Sequence, residues 1–386
     1  MNVPKLRFKE FTDEWTFTTL KDVATKVNRV ESNNSPIMMI SAEKGFILQS
    51  QKYSKDMTGD SLKKYITLYK NELAYNHGAS KLRPYGSVFM LLEDKARIPF
   101  VYHCFKITNG YNKFFSYYLN RYSFGRLLKP LISSTARMDG LLNISFDNYF
   151  SIKFKIPQLK EQEKIANLLT TVDKKITNLE NIITNLENQK KGLLQQIFSQ
   201  KLRFKDKNGN NYPNWEKKKL GNLFTIKAGG DINKENFSEQ YSMKFKYPVY
   251  ANALTNDGLY GYSNIYKIDK PSITVTGRGI NVGFALSRKP FYYPIVRLLV
   301  LIPNININFT FFTESINFIH IFNESTGVPQ LTAPQLSKVN VYVPNIEEQN
   351  KIGNLFDKLN EKIDNKKAQL EHWKQIKKGL LQQMFV

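Results

Sequence analysis

The sequence predicts an α+β chain in which two globular regions are separated by two long antiparallel coiled-coil helices in a pseudo-two-fold arrangement. Three observations predict it. Residues 157–198 align with 344–385 at a constant offset and without a gap, and 18 of the 42 aligned positions are identical. Within both copies apolar residues recur at alternating steps of four and three, the seam of a coiled coil. Ahead of each copy lies a stretch of short β-branched and aromatic runs broken by Gly- and Asn-rich turns, the pattern of a mixed helix and strand domain.

Taken in chain order, the repeat begins with a basic lead-in. KLRFK occurs at 5–9 and again at 201–205, and each is followed by a tryptophan and then a leucine five residues on: Trp15 and Leu20, then Trp215 and Leu220. Lead-in, globular region and long helix therefore occur twice. In the first globular region, about 20–155, the runs PIMMIS, SVFMLL and FVYHCFKIT read as strands; in the second, about 217–342, SITVTG, VGFALS and VRLLVLI do. Most of the many Tyr and Phe residues belong to core and sheet packing.

Each globular region hands over to a helix at a proline, Pro157 or Pro344, because the residue before proline is pushed out of the helical conformation. The seam of the first helix runs Ile165, Leu169, Val172, Ile176, Leu179, Ile183, Leu186, Lys190, Leu193, Ile197, with Lys190 its one polar break. In the second it runs Ile352, Phe356, Leu359, Ile363, Lys366, Leu370, Trp373, Lys377, Leu380, Met384. About 40 residues make a rod of roughly 60 Å. Its apolar stripe needs cover, and the other copy is the natural partner. Two similar units packed about a dyad perpendicular to the helices place them antiparallel.

Composition narrows the chemistry. Lys and Arg number 56 against 33 Asp and Glu, a net charge of +23. The basic residues are spread along the chain, so the expected partner is a polyanion, double-stranded DNA first. Cys104 is the single cysteine, and His77, His103, His320 and His372 are scattered; no disulfide, zinc or other metal site is expected, and the compartment is the cytoplasm. The N-terminal residues lack the apolar stretch of a signal peptide. The longest apolar run, 291–305, is interrupted by Pro294, Arg297 and Pro303 and reads as buried strand, so no membrane is expected.

Two glycine-bearing loops and their surroundings supply the candidate DNA contacts. YNHGASKLRPYGS (75–87) carries Ser80, Lys81, Arg83 and Tyr85; TGRGINVG (276–283) carries Arg278, with Arg288 and Lys289 beyond it; KAGGDINKENF (227–237) carries Lys227 and Lys234. Glycine lets backbone approach a ligand, and Arg or Lys beside it binds phosphate or forks onto guanine. At the level of sequence neither TGRGINVG nor YNHGASKLRPYG has a counterpart in the other half. No catalytic residues are expected. There is no GxxxxGK[ST] loop, no GxGxxG turn and no Asn-Pro-Pro-aromatic motif, and Glu93-Asp94-Lys95, the nearest approach to a nuclease triplet, reads as surface charge.

The duplicated Pro157…Glu161-Gln162…Lys164-Ile165 and Pro344…Glu348-Gln349…Lys351-Ile352, with the two Lys-Gly-Leu-Leu-Gln-Gln helix ends, resemble the specificity subunit of type I restriction–modification enzymes over essentially the full length. The resemblance implies target recognition domains at 1–157 and 201–344, each reading half of a split DNA site, and spacer helices at 158–200 and 345–386. It implies a subunit without catalysis of its own, docked to two methyltransferase subunits that bring S-adenosylmethionine, and up to two restriction subunits that bring ATP and Mg. The repeated motifs then mark the partner sockets: Glu161, Gln162, Leu193, Leu194 and Gln195, and Glu348, Gln349, Leu380, Leu381 and Gln382. Two other readings compete with this one. The first is a single-chain nuclease or methyltransferase with a divergent site; the second is a coiled-coil adaptor with RNA affinity.

Overall fold

A computed structural model describes residues 3–31, 34–53, 59–132, 142–279, 281–319, 321 and 330–385, which leaves His320 outside. The chain forms two compact units, Met1–Leu179 with Gln369–Val386 (unit 1) and Glu180–Ala368 (unit 2). The long helices are continuous, Leu159–Phe198 (central) and Ile346–Gln383 (distal), and each contributes its first half to one unit and its second half to the other.

Unit 1 opens on the strand Thr16–Thr19, which pairs antiparallel with Lys153–Ile156, the strand that feeds the central helix. One helical turn, Leu20–Val23, buries Leu20 and Val23 and delivers the chain to a four-stranded antiparallel sheet. Its order is Ala24–Lys26, His103–Ile107, Leu73–Asn76, Ser87–Met90. Two further strand pairs, Met38–Ser41 with Gly45–Leu48 and Ile66–Tyr69 with Lys95–Ile98, enclose a second small core around Leu68, Ala96 and Cys104.

Unit 2 repeats the plan. Glu216–Lys219 pairs with Asn340–Val343, the turn Leu220–Leu223 follows, and the antiparallel sheet runs Phe224–Ala228, Leu299–Pro303, Ser272–Val275, Ala285–Arg288. All six runs read as strands from sequence contain one. The accessory layer differs: unit 2 has a four-stranded sheet of Phe237–Ser238, Leu259–Ser263, Tyr247–Tyr250 and Tyr293–Pro294, the last pairing parallel. The globular regions, divergent in sequence, thus share one strand order.

A small sequence repeat explains how the outer strand is held. FFSYYLN (114–120) and FFTESIN (311–317) lie in and just after the helices Asn112–Leu119 and Phe309–Ile319. The Phe pairs fill the cores. The asparagine clamps the edge strand: Asn120 accepts from Val88 N at 2.8 Å and donates to Val88 O, and Asn317 accepts from Ala285 N at 2.7 Å and donates to Ala285 O at 3.1 Å. Both backbone groups of a strand residue are satisfied by one side chain, which pins helix to sheet.

The repeated helix ends complete the two cores. In unit 1, Phe385 lies 6.4 Å from Trp15 and 5.7 Å from Phe114 between ring centroids. In unit 2, Phe198 lies 6.1 Å from Trp215 and 5.6 Å from Phe311. The backbone follows suit: Leu6 N donates to Gln383 O at 2.9 Å, and Leu202 N to Gln196 O at 3.0 Å. Within each unit the helix segments run antiparallel. Ile165 and Leu169 share a core with Met384 while Asp173 meets Lys377; Ile197 shares one with Ile352 while Glu187 meets Lys367.

Candidate nucleic-acid interface

The two basic loops occupy the same place in the two units, which corrects the expectation that neither has a counterpart. Each closes the hairpin between the last two strands of the four-stranded sheet. Each is tied to the returning chain by the same hydrogen bond, Leu142 N to His77 O and Leu331 N to Gly277 O, both 2.8 Å. The equivalence was hidden because the loops share no residue pattern. It lives in topology.

In unit 2 three chain segments converge at this end of the sheet. Asn252 brackets the loop, accepting from Gly277 N at 2.7 Å and donating to Arg278 O at 2.5 Å. A Cβ on Gly277 would lie 2.7 Å from Arg297 O, so only glycine fits there. The 229–230 segment joins from the other side: Gly229 N donates to Leu298 O at 2.7 Å, and Val296 N to Gly230 O at 3.2 Å. Arg278 and Lys227 are exposed at this end, and Lys234 is exposed on the turn Lys234–Asn236. Lys289 is exposed too, but the register Ser272 to Arg288 puts it at the far end of the hairpin from Arg278.

Arg288 faces inward. It is 8% exposed, stacks over Tyr250 at 3.9 Å, and donates to Thr274 Oγ1 at 2.9 Å and Asp257 O at 2.6 Å. Burial lowers its pKa from the ordinary arginine value. Its guanidinium is committed to the fold and offers no free fork to a base.

In unit 1 Ser80 and Lys81 are exposed on a tight turn, Ser80 N to Arg83 O at 3.0 Å and Arg83 N to Ser80 O at 3.1 Å. Arg83 is half-buried and turns back to donate to Asn120 O at 2.8 Å; burial lowers its pKa as well. Tyr85 is half-buried against Gly125, and its carbonyl accepts from Tyr75 OH at 2.9 Å. His77 is buried with both ring nitrogens 2.7 Å from carbonyls, those of Leu142 and Val101. These residues build the loop, and of the four candidates Ser80, Lys81, Arg83 and Tyr85 the exposed ones are Ser80 and Lys81. Glu93-Asp94-Lys95 is surface charge: Asp94 meets Lys70 at 3.0 Å and Lys95 meets Glu31 at 2.5 Å.

The duplicated Glu-Gln motif lies inside each unit, which corrects its reading as a partner socket. Arg7 grips Glu161 through two 2.8 Å hydrogen bonds, and Trp15 Nε1 donates to the same carboxylate at 3.4 Å. In unit 2 Arg203 grips Glu348 at 2.8 and 2.7 Å, with Trp215 Nε1 at 3.1 Å. Gln162 donates to Pro157 O at 2.8 Å and accepts from Tyr111 N; Gln349 donates to Pro344 O at 2.9 Å and accepts from Asn308 N. All four are buried, Glu348 at 0% exposure. A bidentate arginine, an indole and a carboxylate out of water form a strong charge-assisted buckle, and the carboxylate raises the pKa of each arginine. Arg, Trp and Glu-Gln of the two repeat motifs therefore form one network in each unit. Leu193 and Leu194, Leu380 and Leu381 are half-buried on the two cores, while Gln195 and Gln382 are exposed.

The sequence matches the family described as type I restriction modification DNA specificity domain over residues 12–188 and again over 212–374. The chain belongs to that family. A Mycoplasma pneumoniae (strain ATCC 29342 / M129 / Subtype 1) protein named as a type I specificity subunit, S.MpnORF507P, is 27% identical over 208 residues, 54% of this chain and 55% of that protein. The specificity subunit of the Escherichia coli type I restriction enzyme EcoprrI is 24% identical over 146 residues, 37% of this chain and 35% of that one. The chain thus spans about half or less of these curated relatives. Among solved structures, the S subunit of a type I system from M. genitalium aligns over 100% of this chain and 99% of its own, with a TM-score of 0.68 at 18% identity. A chain from a structure of type I R-M complex assembly aligns over 95% and 96%, with a TM-score of 0.53 at 11% identity. These shared folds match the two α+β units with their long helices. No helix among the described residues is long and apolar enough to cross a membrane.

Proposed function

We propose that this family member is the sequence-reading subunit of a type I restriction–modification complex, itself without catalytic residues. Its recognition domains are 1–157 and 201–344 and its spacers 158–200 and 345–386. One observation carries the reading: two units whose main sheets share one strand order present unlike loops at the same hairpin. A repeated scaffold with unlike readers reads two unlike half-sites, where a symmetric dimer reads a palindrome. The contacts to double-stranded DNA are Ser80 and Lys81 in unit 1, and Lys227, Lys234, Arg278 and Lys289 in unit 2; Arg83, Tyr85 and Arg288 support them from within. The net charge of +23 supplies the electrostatic part of the affinity. Two methyltransferase subunits dock near Gln195 and Gln382 at the helix ends and bring S-adenosylmethionine. Up to two restriction subunits bring ATP and Mg, and the complex works in the cytoplasm.

The test is selection of bound sequences from a randomised duplex library by the full-length chain. The expected product is a bipartite motif with two different halves, and a binding constant that falls by about 10³–10⁵ between 50 and 200 mM salt. A palindromic motif, or enrichment of no motif, would refute the reading.

A further inference from the structure

We infer that Val296–Arg297 is a base-reading tip of unit 2, in which Arg297 forks onto a guanine edge and Val296 packs against the groove wall. The inference rests on the DNA-reading function proposed above and adds a residue pair that in the sequence only interrupts an apolar strand.

The backbone gives the first indication. Val296 and Arg297 both have positive φ, 50° and 56°. A β-branched residue in the left-handed region is strained, and such strain persists only where the surroundings impose it. Here they do. Val296 N is held by Gly230 O at 3.2 Å, Leu298 N by Ile295 O at 3.1 Å, and Gly229 N by Leu298 O at 2.7 Å, while Arg297 O sits over Gly277. Three segments thus fix this turn beside Arg278, the candidate reader already identified.

The side chains point to the ligand. Val296 is 52% exposed, and Arg297 is exposed with no hydrogen bond or ion pair to another described residue. The turn is held at Val296 N, Leu298 N and Leu298 O, so a constrained, strained backbone presents two exposed side chains. A cation needed only for phosphate could sit on any mobile loop. A rigid backbone with an apolar neighbour suits the groove, where arginine reads O6 and N7 of guanine and an apolar group contacts a thymine methyl. The matching turn of unit 1, Pro99–Tyr102, offers the exposed Phe100 and Val101 and no cation, so the effect belongs to one half-site.

Library selection with full-length Arg297→Ala and Arg297→Lys proteins tests this. Both variants should melt like the parent, since the guanidinium makes no hydrogen bond or ion pair to another described residue. Arg297→Ala should lose preference at one or two adjacent positions of one half-site, roughly 5–150-fold in discrimination, with the other half-site intact. Arg297→Lys should fail to restore it, because the ammonium has no fork. An unchanged motif overturns the inference. So does uniform weakening with a salt slope smaller by about one, the mark of a phosphate contact, or full rescue by lysine. Failure of the parent to enrich any motif would instead sink the DNA-reading proposal, and this inference with it.

Discussion

Tyr117, Asp173 and Lys377 in unit 1 stand where Glu314, Asn360 and Lys190 stand in unit 2. In unit 1 Lys377 Nζ meets Asp173 Oδ1 at 2.7 Å, and Tyr117 OH donates to Oδ2 at 2.7 Å. In unit 2 Lys190 Nζ meets Glu314 Oε1 at 2.6 Å, with Asn360 Nδ2 at 3.5 Å from the same oxygen. The lysine keeps its place in the repeat, and its acid changes elements, from the long helix in unit 1 to the globular helix in unit 2. What the duplication preserved is a neutralised charge at a half-buried position; the address of the counter-charge was free to move. The buckles behave oppositely: Arg, Trp, Glu and Gln keep both identity and address. A carboxylate gripped in two dimensions by a planar guanidinium and an indole has one geometry, whereas a lysine on a long stem accepts an acid from several directions.

Four measurements break or sharpen this contrast. The largest effect should come from the buckle. Glu348→Ala leaves Arg203 and Trp215 without their acceptor in a dry site and should cost about 3–5 kcal/mol. Glu161→Ala should do the same to unit 1 alone. Hydrogen exchange should report loss of protection in the unit that carries the change, and equal exchange in both would contradict the view that each buckle serves its own unit.

Next is an acid sensitivity that His103 gives to unit 1. Burial pushes His103 down to about 4, with His77 and Lys26 adding to the shift and the Ile144 carbonyl opposing it. The neutral ring is the one the fold accepts, so its contribution is full above the unfolded pKa near 6.5 and is lost as pH falls toward 4. Unit 1 should lose on the order of 2–3 kcal/mol over that window. Urea titrations with peptide-resolved exchange should show unit 2 holding where unit 1 weakens; a His103→Phe variant should abolish the difference.

The moved acid gives a smaller effect. Glu314→Gln strands Lys190, and adding Asn360→Asp returns a carboxylate from the position that unit 1 uses. A double-mutant cycle should show a favourable coupling of roughly 1–3 kcal/mol. Additive effects would mean that the two sites are not interchangeable. Smallest of all, Val296→Gly should raise stability by about 1 kcal/mol by relieving left-handed strain, seen as a higher melting temperature; Val101→Gly, on an ordinary backbone, should not.

Much of this was legible in the sequence, and the rest had physical reasons to be hidden. The helices announced themselves because a 3.5-residue seam is a periodic signal over 40 residues. The strand runs did too, since buried sheet selects β-branched and aromatic residues. The buckle is present as recurrent Arg, Trp and Glu-Gln motifs, but a contact between residues 154 positions apart in unit 1 and 145 in unit 2 is not written in either motif, so buried residues read as displayed ones. FFSYYLN and FFTESIN were too short and too unlike to stand out until Asn120 and Asn317 were seen on equivalent strand edges. Arg288 read as a loop cation because nothing local tells that Tyr250 and Asp257 O enclose it. Arg297 carries no sign in the sequence because backbone strain has no letter.

The closure of unit 1 by Phe385 has a kinetic side. All of unit 2 comes from one uninterrupted stretch, Glu180–Ala368, and its helix partners Ile197 and Phe356 lie within it. Unit 1 must bring Met384 and Phe385 back to Trp15 and Phe114, a loop longer than any inside unit 2. Loop entropy grows only as the logarithm of length, so the penalty at equilibrium is small, but contacts between distant positions slow the search for the native state. Until the distal segment arrives, Trp15, Phe114 and Tyr118 face an unfilled notch, an apolar surface that exists only during folding. The second unit can therefore mature alone while the first waits, and the interval between them is when this basic, aromatic-rich chain is most open to misassociation.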